Sequence, residues 1–364
     1  VLNDATLTAR NLVGEGAVDI GKKDTSDGHL TVSAGAGHLA ALNVNTAGST
    51  AVLTAEGKDY TVGRLVNAGT ATLDRVGFID GGVEGYGAGI YNRDTGKVVA
   101  TDGTFEGNSA QFGGAVMNFG EAEVEGGSFE GNTAEAGGGA IYNAGSVEIE
   151  GGTTFEGNSA SDGGAVFSTG TVTVADGTFE GNTASSWGGA IYNYGSGKLD
   201  VEGTSFEGNE AGVTGGAVAA GIGTTTTLSG TSFTGNHAVY DGGAIGNFGS
   251  MTISGGTFEG NTAQLAEGEG AGGWTEPVED SQPVGGGALA LGAESSTVIT
   301  NSTFTGNESG KQGGAIGMRL AKDANNSAAK LDIVGSTFEG NKAAADGGAI
   351  YNTFYNSSAE GVEG

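Results

Sequence analysis

Seven glutamates occupy one position of a recurring segment, each directly after a phenylalanine: Glu106, Glu130, Glu156, Glu180, Glu207, Glu259 and Glu339. Brought into register, they would form a row of like charges, which is unfavourable unless water or a divalent cation bridges it. Calcium is the ion that such a hard oxygen set would take. Thr234 and Thr305 interrupt the row, and no dedicated calcium loop accompanies it. Glu106, Glu130, Glu156, Glu180 and Glu207 are therefore weak metal candidates beside the plainer reading of a solvated row, and no other cofactor is expected. Catalytic groups are sparse. The three histidines, His29, His38 and His237, sit in unrelated contexts, and no Asp-Asp pair occurs. Neither a Ser/His/Asp set nor zinc-ligand spacing is present. Basic residues are too few to hold an acidic sugar. The chain is read as non-catalytic.

Two further residue sets recur. Gly-Gly pairs stand before Ala and an aliphatic residue, but no lysine and no helix follows them, so they are corners and not phosphate cradles. Beyond the aliphatic residue the side chain varies, and Tyr142, Phe167 and Tyr192 fall there. Such freedom marks an outward position. These three aromatics are candidates for a binding face, as a ladder for protein or glycan contact, although tyrosine also simply suits a strand surface.

The elements that must position these residues follow from the period. Phenylalanine recurs at Phe105, Phe129, Phe155, Phe179, Phe206, Phe233, Phe258, Phe304 and Phe338, at spacings of 24, 26, 24, 27, 27, 25, 46 and 34. Three residues after each comes asparagine: Asn108, Asn132, Asn158, Asn182, Asn209, Asn236, Asn261, Asn307 and Asn341. Eleven or twelve residues after most of the phenylalanines comes the aliphatic residue, Val116 to Ile350, with a second asparagine two further on in most copies. A degenerate copy runs from Phe78 to Ile90. Ahead of each phenylalanine lies a period-two segment such as "VEIEG" or "MTISGG", which is a strand signal. Gly breaks every helical candidate.

Three short strands in about 25 residues, repeated, predict an all-β, single-stranded parallel β-helix in which each strand stacks on its copy in the next coil. The usual hand of crossover connections favours a right-handed coil. Phenylalanine and the aliphatic residue point inward. Both asparagine sets are read as turn ladders, where amides stack and left-handed backbone is tolerated. Residues 1–77 lack the clear motif and are expected to be irregular first coils or a cap, with 78–364 the regular repeats. Residues 264–285 interrupt one coil, carrying Trp274, Glu276 and Asp280 as further binding-face candidates, because solenoid insertions map to loops. A smaller insertion at 320–330 carries Lys322 and Lys330.

Composition bounds the partners. The 364 residues include 76 Gly, 2 Pro and no Cys, with 43 acidic against 14 basic residues and a net charge of −29. Glycine without proline excludes collagen, and the absence of cysteine excludes disulfides and thiolate metal sites. The acidity disfavours nucleic acid and anionic membranes as partners. No apolar run reaches the roughly 18 residues of a membrane-spanning helix. The chain starts without Met and stops just past a repeat, so it is expected to continue into a missing C-terminal region.

The alternating motifs Gly-Gly-Ala-aliphatic and Phe-x-x-Asn, over about residues 78 to 352, resemble the repeats of the chlamydial polymorphic outer membrane proteins. The wider class is the autotransporter adhesin with a β-helical passenger. The resemblance implies a passenger displayed at the bacterial cell surface, at the outer membrane or secreted, which acts in adhesion. Its partner would be a protein or glycan on another cell. That family often contains cysteine and this chain has none, and neither a translocator barrel nor a leader is in view. Two alternatives stand beside it: a purely structural stalk or surface-layer element, and a polysaccharide-active β-helix enzyme.

Overall fold

The computed structural model describes residues 1–22, 26–57, 60–264, 285–318 and 329–352. Every element among them is a β-strand, and the strands pair in parallel throughout the ladder. The chain winds as a β-solenoid of about 25 residues per turn, each strand lying on its copy one turn away.

One turn, residues 146–168, shows how the sequence builds the coil. Ser146–Glu150 is a strand of alternating burial, with Val147 and Ile149 inside. Thr154–Glu156 follows and buries Phe155. Ser159–Ala160 is a short third strand, and Val166–Ser168 is the fourth. The expected three strands are thus four. The extra one is only two residues long in most coils, too short to carry a period-two pattern, yet it stacks into its own nine-stranded sheet. The first strand stacks into a thirteen-stranded sheet.

The second and fourth strands form separate columns over most of the length but share one 24-stranded sheet. They are joined near the start, where Gly37–Val44 is one continuous strand pairing with both Tyr60–Val62 and Leu65–Asn67. From there the fourth-strand column runs without a break: Leu42 on Leu65, Leu65 on Ile90, Ile90 on Val116. The first-, second- and fourth-strand columns therefore reach into residues 1–77, the first beginning with Ala5–Arg10 paired to Gly28–Ala34, while the short third-strand column starts only at Ser109–Phe112. Leucine and valine there occupy the core positions that phenylalanine and isoleucine take later. Tyr60 is fully buried, its hydroxyl donating to the Leu12 carbonyl at 2.5 Å.

Two ladders run inside. The phenylalanine rings stack face to face, Phe105 on Phe129 at 4.3 Å and Phe155 on Phe179 at 4.6 Å. The asparagine ladder runs beside them. Asn158 donates its Nδ2 to Asn182 Oδ1 at 2.9 Å and its backbone N–H to the same oxygen at 3.0 Å. The other Nδ2 proton of each asparagine goes to a phenylalanine carbonyl of the preceding rung, as from Asn158 to Phe129 at 3.0 Å. These amides are fully buried and fully paired, as buried polar groups must be. A second ladder joins Asn67, Asn92, Asn118 and Asn143 by Nδ2 to Oδ1 bonds, then passes to the Ser168 hydroxyl.

Between the short strand and the fourth strand the chain turns a corner that only glycine can make. Gly188 has φ of +65°, and a Cβ there would lie 2.3 Å from the Ile191 carbonyl oxygen. The 46-residue step passes this same corner. Its phenylalanines still stack, Phe258 on Phe304 at 4.6 Å, and Ile245 still pairs with Leu289.

Candidate binding face

The outward side of the fourth-strand column carries the expected aromatics. In the Ile-Tyr-Asn strands the flanking residues point into the core and the middle one points out. Tyr142, Phe167 and Tyr192 succeed one another on adjacent rungs. The Tyr142 and Phe167 rings stack at 4.9 Å, and Phe167 meets Tyr192 edge-on at 5.5 Å.

Two flanking lines, not expected from sequence, widen this ladder into a face. One line is the residue just before the corner glycine: Tyr86, Phe112, Gly137, Asp162 and Trp187 on successive rungs. The other is the residue just after the second-ladder asparagine, including Phe119, Tyr194 and Phe248. Ring contacts connect them all. Tyr86 meets Phe112 at 5.7 Å and Tyr91 at 6.1 Å, and Phe112 meets Tyr142 at 5.5 Å. Trp187 meets Tyr192 at 5.8 Å and Phe248 at 5.2 Å, and Tyr192 meets Tyr194 at 5.6 Å. The signal for these residues was their constant offset from a motif glycine or asparagine, which periodicity alone does not reveal because the residue type varies at each offset.

Most of these rings are half-buried, and Tyr86, Phe119 and Tyr194 are exposed. Tyr192 departs from the expected open position. It points outward but is only 8% exposed, because Trp187, Phe167 and Tyr194 close over it. Gly137 has the reverse effect: a Cβ there would come within 3.1 Å of Phe167 Cγ, so glycine leaves the space its ring fills.

One carboxylate is set into this aromatic surface. Asp162 Oδ1 is buried without a hydrogen-bond partner among the described residues. Burial pushes the carboxyl above its ordinary value, and the Trp187 backbone N–H partly offsets that. Burial, then the Asp162 charge, then Tyr194 push the Tyr192 hydroxyl far up. The sign for stability follows. An acid whose folded value is raised costs nothing below its unfolded value of 3.8 and costs most once pH exceeds the folded value. Asp162→Asn is therefore expected to raise the melting temperature at pH 7, with the gain vanishing as pH falls below about 3.8. The gain should stay under about 1 kcal/mol, since the group is only half buried. Thermal melts of both proteins across pH 3 to 8 check it; an unchanged or lowered melting temperature at pH 7 would contradict it.

Other candidates lie elsewhere. Glu106, Glu130, Glu156, Glu180 and Glu207 do succeed one another in register, all exposed, on the second-strand column. No group of three or more His, Asp or Glu side chains with metal-holding geometry occurs among the described residues. Each histidine meets a threonine hydroxyl one rung on at 2.8 Å: His29 with Thr50, His38 with Thr61, His237 with Thr262. Trp274, Glu276 and Asp280 lie outside the described residues, as does Lys322 of the smaller insertion, while Lys330 opens a first-column strand. No described helix is long and apolar enough to cross a membrane. A polar cleft of about 550 Å³ lies at the turns of the early coils, lined in part by Asp27, Asn45, Thr46, Arg93 and Asp94. Arg93 reaches back over the Tyr91 ring at 6.0 Å, so the cleft adjoins the aromatic face.

The family model of the Chlamydia polymorphic membrane protein repeat matches residues 126–144, 152–169, 176–194, 301–317 and 335–353. Among the residues described above, these segments hold Phe129, Phe155, Phe179, Asn158, Asn182 and the corner glycine Gly188. No curated protein and no solved structure matches the chain.

Proposed function

We propose that this chain, whose repeats match the polymorphic membrane protein repeat at five places, is an adhesive passenger whose aromatic face makes the contact. The match to a membrane-protein repeat supports a bacterial cell-surface location. The passenger is non-catalytic, and its partner is a protein or glycan on another cell.

The observation that carries the reading is the continuous aromatic surface from Tyr86 to Phe248. A fold stabilised wholly from within has no need of it: the phenylalanine stack and the asparagine ladders already fill the core. A contiguous run of aromatic rings reaching the surface of a solenoid marks an interaction site. Calcium across the glutamate row remains a secondary proposal. Calorimetry with calcium should give heat and a raised melting temperature if the row binds it, and neither if water alone solvates it.

Beads coated with the chain are expected to adhere to epithelial cells. Alanine at Tyr142, Phe167 and Trp187 together should remove most of that adhesion while circular dichroism stays unchanged. Adhesion equal in the variant would move the contact off this face. No adhesion by the parent chain would leave only the stalk reading, and turnover of a polysaccharide would favour the enzyme.

A further inference from the structure

The aromatic face has three properties that together select a ligand. It is linear, since each position recurs at the strand spacing of about 4.8 Å along one axis. It presents ring faces and edges with little charge, flanked by tyrosines. It also holds one carboxyl among its rings, that of the half-buried Asp162.

We propose that this face binds a neutral glycan of β-linked hexoses with equatorial hydroxyls, laid along the solenoid axis, one of its hydroxyls donating to Asp162. The inference rests on the reading of this face as the binding surface. Such sugars have apolar C–H faces that lie on aromatic rings, with hydroxyls around the rim, which matches an apolar platform bearing a few placed polar groups. The net charge of −29 repels sulfated or uronic glycans and anionic lipid.

The early-coil cleft extends the site. Arg93 lines the cleft and its guanidinium lies 6.0 Å from the Tyr91 ring centre, with Asp27, Asn45, Thr46 and Asp94 also in the lining. Asp27 already accepts from the Thr46 hydroxyl at 2.8 Å, which fixes its orientation.

The chain has two tryptophans, Trp187 on the face and Trp274 away from the described residues. The Trp274→Phe protein therefore reports from Trp187 alone. Titrated with cellohexaose and with chitohexaose, it is expected to show a saturable change in emission with at least one, insensitive to salt. Phe167→Ala and Asp162→Ala, made in that background, should each weaken binding about tenfold, with Phe167→Tyr retaining it and circular dichroism unchanged in all three. No saturable change with either hexasaccharide overturns the proposal, as does a stronger response to a heparin hexasaccharide or to oligolysine. Adhesion that depends on the face without glycan binding would mean a protein partner, overturning this inference and keeping the adhesive reading. Glycan binding without cell adhesion would do the opposite.

Discussion

Phe179→Ala is expected to destabilise the solenoid by about 3–5 kcal/mol, the cost of emptying a fully buried phenylalanine site. The ring has neighbours above and below, Phe155 at 4.6 Å and Phe206 at 5.0 Å, so both lose a stacking partner. The rungs are too tightly in register to collapse into the space. The damage should be local. In a quasi-one-dimensional fold each rung is held by its neighbours, so hydrogen exchange should quicken most on the rungs of Phe155, Phe179 and Phe206 and fade with distance. Denaturant unfolding gives the magnitude and exchange gives the location. Glu180→Ala, one residue on, is the control. Its side chain is exposed and lies in register with Glu156 and Glu207, so its loss should be within about 0.5 kcal/mol and of stabilising sign. Equal losses at the two positions would refute the assignment of Phe179 to the core.

Asn182→Leu should be as severe, although it exchanges a polar residue for an apolar one of similar size in a buried place. The amide makes four side-chain bonds. Its Oδ1 accepts from both the backbone N–H and the Nδ2 of Asn158, and its Nδ2 donates to Asn209 Oδ1 and to the Phe155 carbonyl. Leucine leaves two donors of Asn158 and the Phe155 carbonyl without partners in a dry interior. Each such group costs about 1–3 kcal/mol, so a loss of roughly 3–9 kcal/mol is expected. Asn182→Asp should also fail at pH 7, because a carboxylate cannot donate onward to Asn209. Chemical denaturation of the three proteins checks the order. A leucine variant as stable as the parent would mean that the ladder contributes nothing net.

Both predictions rest on features legible in the sequence. Phe179 and Asn182 belong to sets whose types do not change from Phe105 and Asn108 to Phe338 and Asn341, each residue stacking on its own copy. The parallel solenoid, the inward phenylalanine and the turn amides follow from that constancy. What was not legible is where type varies. The short strand Thr183–Ala184 carries no pattern of its own and is defined only by pairing with Ser159–Ala160 and Glu210–Ala211. The first coils were obscure because Leu42 and Leu65 fill the column without the Gly-Gly-Ala signature. The binding face was visible in part. Tyr142, Phe167 and Tyr192 stood out by their place after the aliphatic residue. Trp187, Phe112 and Asp162 share an offset but not a type, and only the third dimension brings them beside those rings. Tyr192 shows the limit of strand alternation: it fixes which way a side chain leaves the backbone, not what later covers it.

The asparagine ladder has one more property. From Asn108 to Asn341 every amide passes its proton in the same sense, donor on the earlier rung and acceptor on the later. Eight such links put their dipoles head to tail, so each polarises the next. The solenoid is therefore a vector and not merely a stack. A rung offered upside down would set carbonyl against carbonyl, so the forming coil discriminates between its two ends, and growth by templating can proceed only with matching polarity.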